Sequence, residues 1–209
     1  MAKYALGCLG LLVVAAIILG FAVMGTYNGL VGSSQAVDTQ WAQVQTVYQR
    51  RADLIPNLVS TVAGAANFEK STLEAVTNAR ASVGQVKIDP SQAPSDPAQL
   101  AKFQAAQAGV SSALSRLLVV SENYPNLKSN ENFLGLQAQL EGTENRISVE
   151  RQKFNAVAQA YNTKVKTFPT VVFAGMMGFS PKPYFSADAG AEKAPAVKFN
   201  FGATPAPAQ

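Results

Sequence analysis

The chain has 209 residues, 48% hydrophobic and only 14% charged, with one cysteine, no histidine and a formal net charge of +4. Without histidine there is no Ser-His-Asp or Cys-His triad, no two-His zinc site and no imidazole pH switch. The lone Cys8 excludes an intrachain disulfide and a cysteine-built metal centre, and the mild positive charge is spread too thinly to make a nucleic-acid face.

The first predicted element is a membrane anchor. Residues 1–3 contain the only early charge, Lys3, and residues 4–37 contain none. About 20 apolar residues at 1.5 Å rise match a hydrocarbon core of roughly 30 Å, with Tyr4 and Tyr27 as interfacial aromatics. The run is longer than the apolar part of a signal peptide, and Gly25-Thr26-Tyr27 is a poor cleavage site. The span is therefore placed at 4–27 and read as uncleaved. Lys3 favours the N-terminus on the cytoplasmic side and the remaining domain outside.

Long helices follow. Trp41, Tyr48, Ile55, Val62, Val76 and Val83 recur at multiples of seven, and Val37, Val44, Arg51, Leu58 and Ala65 form a companion row. That heptad-like stripe predicts one helix over about 34–86, kinked at Pro56. A loop rich in proline and serine follows, with Asp96-Pro97 as an N-cap and first-turn pair. A second helix reaches about Tyr124. Ser129 is the expected N-cap of a third, which carries Phe133, Leu140, Ile147, Phe154, Tyr161 and Phe168 seven apart. Gly178 is the expected C-cap of the apolar piece over 170–178. Residues 186–209 form an Ala/Pro-rich tail, expected to be mostly flexible, in which Val197, Phe199 and Phe201 alternate as in a short strand. The fold class is all-α: an anchor continuing into a long kinked helix, packed with an antiparallel helical hairpin as an elongated three- or four-helix bundle.

Several motifs together resemble the LemA family. They are Tyr27-Asn28-Gly29-Leu30-Val31 after the span, the run Arg50-Arg51-Ala52-Asp53-Leu54-Ile55-Pro56-Asn57-Leu58-Val59, and Asn132-Phe133 followed by Gln139-Leu140-Glu141-Gly142-Thr143-Glu144-Asn145-Arg146-Ile147. Tyr161-Asn162, Phe168-Pro169, Gly178-Phe179 and Tyr184-Phe185 extend the likeness to residue 185. The resemblance implies a bacterial, single-pass protein of the cytoplasmic membrane with a helical domain over 28–185. It implies no enzymatic chemistry and no cofactor, and it suggests proximity to membrane proteases by association alone.

The charged motifs read as structural ion pairs. Arg51 lies on the inward companion row, so it needs a carboxylate, for which Glu144 and Glu150 are candidates; Arg50 and Asp53 belong to the same cluster. The alternatives are an envelope enzyme using Arg51, Glu144 and Glu150, or an adaptor for a membrane protease. No metal or small-molecule site is inferred. Phe173, Met176 and Met177, with Phe179, Tyr184 and Phe185, either cap the bundle or meet a membrane or partner. A second helix of about 28 residues climbs only about 42 Å, leaving the proximal half of the first helix without a partner from the hairpin. The stripe Val37, Trp41, Val44 and Tyr48 is then covered either by the returning C-terminal segment or by neighbouring copies. The expectation adopted is self-association through these four residues. The function expected is that of a non-enzymatic, self-associating scaffold or adaptor that recruits an unknown protein partner at the membrane.

Overall fold

The computed structural model describes residues 2–65 and 68–187, with side chains from Leu9 onward. Val197, Phe199 and Phe201 lie outside the described residues, as does all of the tail beyond residue 187. The fold is all-α. Its helices are α1 (Ala2–Ala63), α2 (Lys70–Gly84), α3 (Pro97–Ser121), α4 (Pro125–Lys128), α5 (Glu131–Lys166) and α6 (Thr170–Phe173).

The 62 residues of α1 extend about 93 Å at 1.5 Å per residue. Its N-terminal part is the one helix among the described residues long and apolar enough to cross a membrane. Leu11, Leu12, Ile18 and Phe21 stand exposed on it, and from Leu9 onward the first buried side chain is Leu30. One unbroken element thus serves as the apolar segment and as the central strut of the bundle.

The heptad stripe does not run through a single helix to residue 86. The chain turns after Ala63 and folds back as α2, so that Arg80 lies beside Ala52. Val62 and Val76, two heptads apart, share one core although they sit on different helices. Gly64, the only glycine between Gly32 and Gly84, marks the turn.

Pro56 stays inside α1 on its exposed face. Proline has no N–H, so the carbonyl of Ala52, four residues earlier, loses its helical donor. Arg80 of α2 supplies the missing hydrogen bond, Nε donating to the Ala52 carbonyl at 3.0 Å. Arg80→Ala should therefore cost about 1 kcal/mol, and much less in a Pro56→Ala background, where residue 56 regains its N–H. Thermal unfolding of the four proteins of this cycle tests the coupling; equal losses in both backgrounds would refute it.

Asp96 caps α3 by accepting from the Ala98 N–H at 2.8 Å, with Pro97 in the first turn. Asn130, not Ser129, caps α5, accepting from the N–H groups of Asn132 and Phe133. The Ser129 hydroxyl instead donates to the Asn126 carbonyl, one turn too early to cap. Helix α5 ends at Lys166, so Phe168 leaves the stripe and is 78% exposed. Beyond it Gly178 has φ of 81°, and the Phe179 N–H reaches the Ala174 carbonyl while that of Gly178 reaches Gly175. This six-to-one plus five-to-two pattern is a Schellman closure, which places glycine at the left-handed position.

The contacts Arg51–Glu144, Gln40–Glu150 and Ser33–Lys164 show that α5 descends antiparallel along α1. At 36 residues, against 25 for α3, it covers the proximal half of α1 that a symmetric hairpin would leave bare. An extended strap, residues 179–187, then returns over the same half. Val37, Trp41, Val44 and Tyr48 are all buried within one chain, packed with Phe103, Phe154 and Phe185. Of the two expected covers it is the chain's own, and this corrects the expectation of self-association through the stripe: the four residues are core, sealed by α3, α5 and the strap, and offer no surface to another copy.

Candidate functional site

Two apolar cores lie end to end along α1. The proximal one holds Trp41, Tyr48, Phe103, Ile147 and Phe154; the distal one holds Ile55, Leu58, Val110, Leu117 and Leu140. Between them, at the turn of α1 separating Tyr48 from Ile55, lies a polar layer built on Arg51, which is 2% exposed. Arg51 Nη1 pairs with Glu144 and donates to Ser111 Oγ at 2.8 Å. Its Nη2 donates to the Gln107 side chain and, at 3.2 Å, to the Gln107 carbonyl. The Tyr48 ring lies against the guanidinium, 5.3 Å from centroid to Cζ. A buried arginine is tolerable only when its donors are satisfied, and here α1, α3 and α5 each supply part of the answer.

The remaining charged candidates are dispersed. Glu150 does not join Arg51: its Oε2 accepts from Gln40 and its Oε1 from Lys153 at 2.8 Å. The Lys153 hydrogen bond, helped by that of Gln40, lowers the Glu150 pKa against a smaller opposing effect of burial. Arg50 and Asp53 are exposed and line an open groove of about 800 Å³ with Gln45 and Gln49; Asp53 accepts from Gln49 at 2.7 Å. The three-residue cluster required by an Arg51/Glu144/Glu150 enzyme is therefore not assembled. Small cavities flank the polar layer. One of about 200 Å³ is lined by Arg51, Glu144, Ser111 and Arg151, and another of about 280 Å³ by Arg51, Tyr48, Ile55 and Arg80. No group of three or more His, Cys, Asp or Glu side chains suited to a metal ion occurs among the described residues.

The apolar C-terminal candidates divide. Phe185 is buried, stacked on Trp41 at 6.1 Å and edge-on to Phe154 at 5.4 Å. Phe179 packs on the proximal core and meets Tyr27 edge-on at 5.7 Å. Phe173 and Met177 are half-buried, whereas Met176 is 83% and Tyr184 46% exposed.

Sequence reasoning missed the way the strap is held. Asn162 donates to the Lys182 carbonyl at 2.8 Å and accepts the Lys182 N–H at 2.7 Å. Asn155 does the same to Phe185, both at 2.9 Å. Gln104 donates to the Ser186 carbonyl at 2.7 Å and accepts the Ser186 N–H at 3.4 Å. Each carboxamide thus pairs with an extended backbone as a neighbouring strand would, meeting the demand of buried peptide groups for partners. Asn162→Ala removes both bonds at Lys182, so it should cost about 2 kcal/mol. Proteolysis within 180–187 should rise with it; an unchanged cleavage rate would contradict this role for Asn162.

A family model described as the LemA family matches residues 40–199. Magnetosome protein MamQ 2 of Paramagnetospirillum magneticum and Magnetosome protein MamQ of Magnetospirillum gryphiswaldense are each 27% identical over 176 residues, covering 76% of this chain and 64% of the relative. Protein LemA of Metamycoplasma hominis is 24% identical over 150 residues, covering 72% and 64% respectively. The chain therefore spans a little under two thirds of the length of these relatives.

Proposed function

The chain belongs to the LemA family, and on that premise we propose that it is a membrane-anchored, non-enzymatic adaptor whose helical domain recruits protein partners at the bilayer surface. The observation that carries this reading is the continuity of α1, one helix providing both the apolar membrane-length segment and the strut on which α2, α3 and α5 pack. A partner held by such a domain is held at a fixed height and angle to the membrane. Two findings support the non-enzymatic part. The buried charge of Arg51 is occupied by Glu144, Gln107 and Ser111, and the relatives' names describe no catalytic activity. Lys3 favours a cytoplasmic N-terminus and a domain outside the cytoplasmic membrane.

The surface open to partners is the outer face of the bundle, where Val119, Leu134 and Val149 stand exposed at 70, 48 and 47%. Among the described residues, the apolar segment, this outer face and the exposed side chains of 168–176 are the apolar surfaces available to self-association. Photo-crosslinking amino acids placed at 119, 134 and 149 of the full chain, in membranes of its own cell, test the reading. The expected result is adducts of discrete mass from at least one position. Absence of adducts from all three would overturn the adaptor.

A further inference from the structure

Among the described residues outside the N-terminal segment, a strongly apolar exposed surface is the corner that joins α5 to the strap. Residues 168–181 carry no charge. Phe168, Val171, Val172 and Met176 are 78, 51, 55 and 83% exposed, and large apolar side chains grouped in this way mark a surface that meets something. The position of the corner tells what. Thr167 and Thr170 share a cleft with Thr26, Gly29 and Leu30, the Phe179 ring rests on Tyr27, and Lys164 Nζ donates to Ser33 Oγ at 2.6 Å. The corner is therefore level with residues 26–30 of α1. At 1.5 Å per residue that lies within about 9 Å of Met24, the end of the apolar run. The headgroup layer on each side of the hydrocarbon is itself about 5–8 Å thick.

We infer that this corner docks into the lipid interface around the protein's own anchor, with Phe168, Val171, Val172 and Met176 entering the boundary between headgroups and acyl chains. The partner is a lipid surface because the patch is continuous with the apolar segment at its exit and lies at headgroup height. The exposed Lys164 and Lys166 end α5 beside it, where flexible basic side chains reach lipid phosphates. The domain then has two attachments to the bilayer, α1 and the corner, and these fix its tilt in a way that one helix cannot.

This inference rests on α1 being a membrane anchor, and its test separates the two claims. The full chain carrying Cys8→Ala receives a single cysteine by Leu12→Cys, Met176→Cys or Val119→Cys. Each is labelled with an environment-sensitive fluorophore and reconstituted into phosphatidylcholine/phosphatidylglycerol vesicles, with or without spin-labelled lipids. The expected result is blue-shifted, lipid-quenched emission from both 12 and 176. Position 12 should be quenched most by a label deep in the acyl chain and 176 by one near the headgroup, with 119 neither shifted nor quenched. If 12 is quenched while 176 behaves as 119 does, docking is wrong and the anchor stands. A blue shift at 176 without lipid quenching means that a second copy covers the corner, and also overturns docking. If 12 itself is unquenched, the anchor fails and docking fails with it.

Discussion

Replacing Trp41 with alanine should destabilise the full chain by about 4 kcal/mol, the cost of emptying a large aromatic site that cannot collapse. Trp41 is fully buried. It meets Phe103 and Phe154 edge-on at 5.6 and 5.7 Å and stacks on Phe185, and its Nε1 donates to the Asp89 carbonyl at 3.1 Å. One side chain therefore joins α1 to α3, α5, the strap and the loop before α3, and all four lose a contact together. Trp41→Phe keeps most of the volume and aromatic edges, so it should cost about 1–2 kcal/mol. Thermal unfolding in detergent micelles, followed by circular dichroism, measures both. A loss below about 1 kcal/mol for alanine would mean that these elements do not converge on Trp41.

Glu144→Leu should cost about 3 kcal/mol, the lower end of the range for stranding one member of a buried ion pair, because Glu144 is itself 41% exposed and water can partly replace it. Arg51→Leu combined with Glu144→Leu should be less damaging than Glu144→Leu alone, since the double variant leaves no unpaired guanidinium. Urea unfolding followed by Trp41 fluorescence gives the cycle, and additive losses would refute the coupling. The double variant also tests specificity. Arg51, Gln107, Ser111 and Glu144 sit between two apolar cores built on the same seven-residue period, and a helix slipped by seven residues would still place apolar groups inside. The polar layer fits only one register, as buried polar positions do in coiled coils.

What was legible in the sequence was whatever repeats. Trp41, Tyr48, Ile55 and Val62 on α1, and Phe133, Leu140, Ile147, Phe154 and Tyr161 on α5, are all buried, because a helix burying one face must place apolar side chains at that spacing. The same regularity concealed the turn at Gly64, since Val76 continues the period on a helix that runs the other way. An inward arginine demands a carboxylate, but nothing in the spacing distinguishes Glu144 from Glu150; which one reaches Arg51 is set by the stagger of α5 on α1. The strap was illegible for a different reason. It has no period of its own, and its hydrogen bonds come from Gln104, Asn155 and Asn162, each of which reads in isolation as an ordinary polar helix residue. With no signal for how the returning segment is held, the spacing alone does not decide between it and a neighbouring copy as the cover of the Trp41 stripe.

Acrylamide quenching of the sole tryptophan in the full chain shows whether the Trp41 stripe is sealed by its own chain. The quenching is measured over a dilution series in detergent, with the absolute mass determined at each concentration. The expected emission is blue-shifted and inaccessible to acrylamide at every concentration, whatever the mass. Quenching that rises as the mass falls would show that neighbouring copies, and not the strap with α3 and α5, cover Trp41.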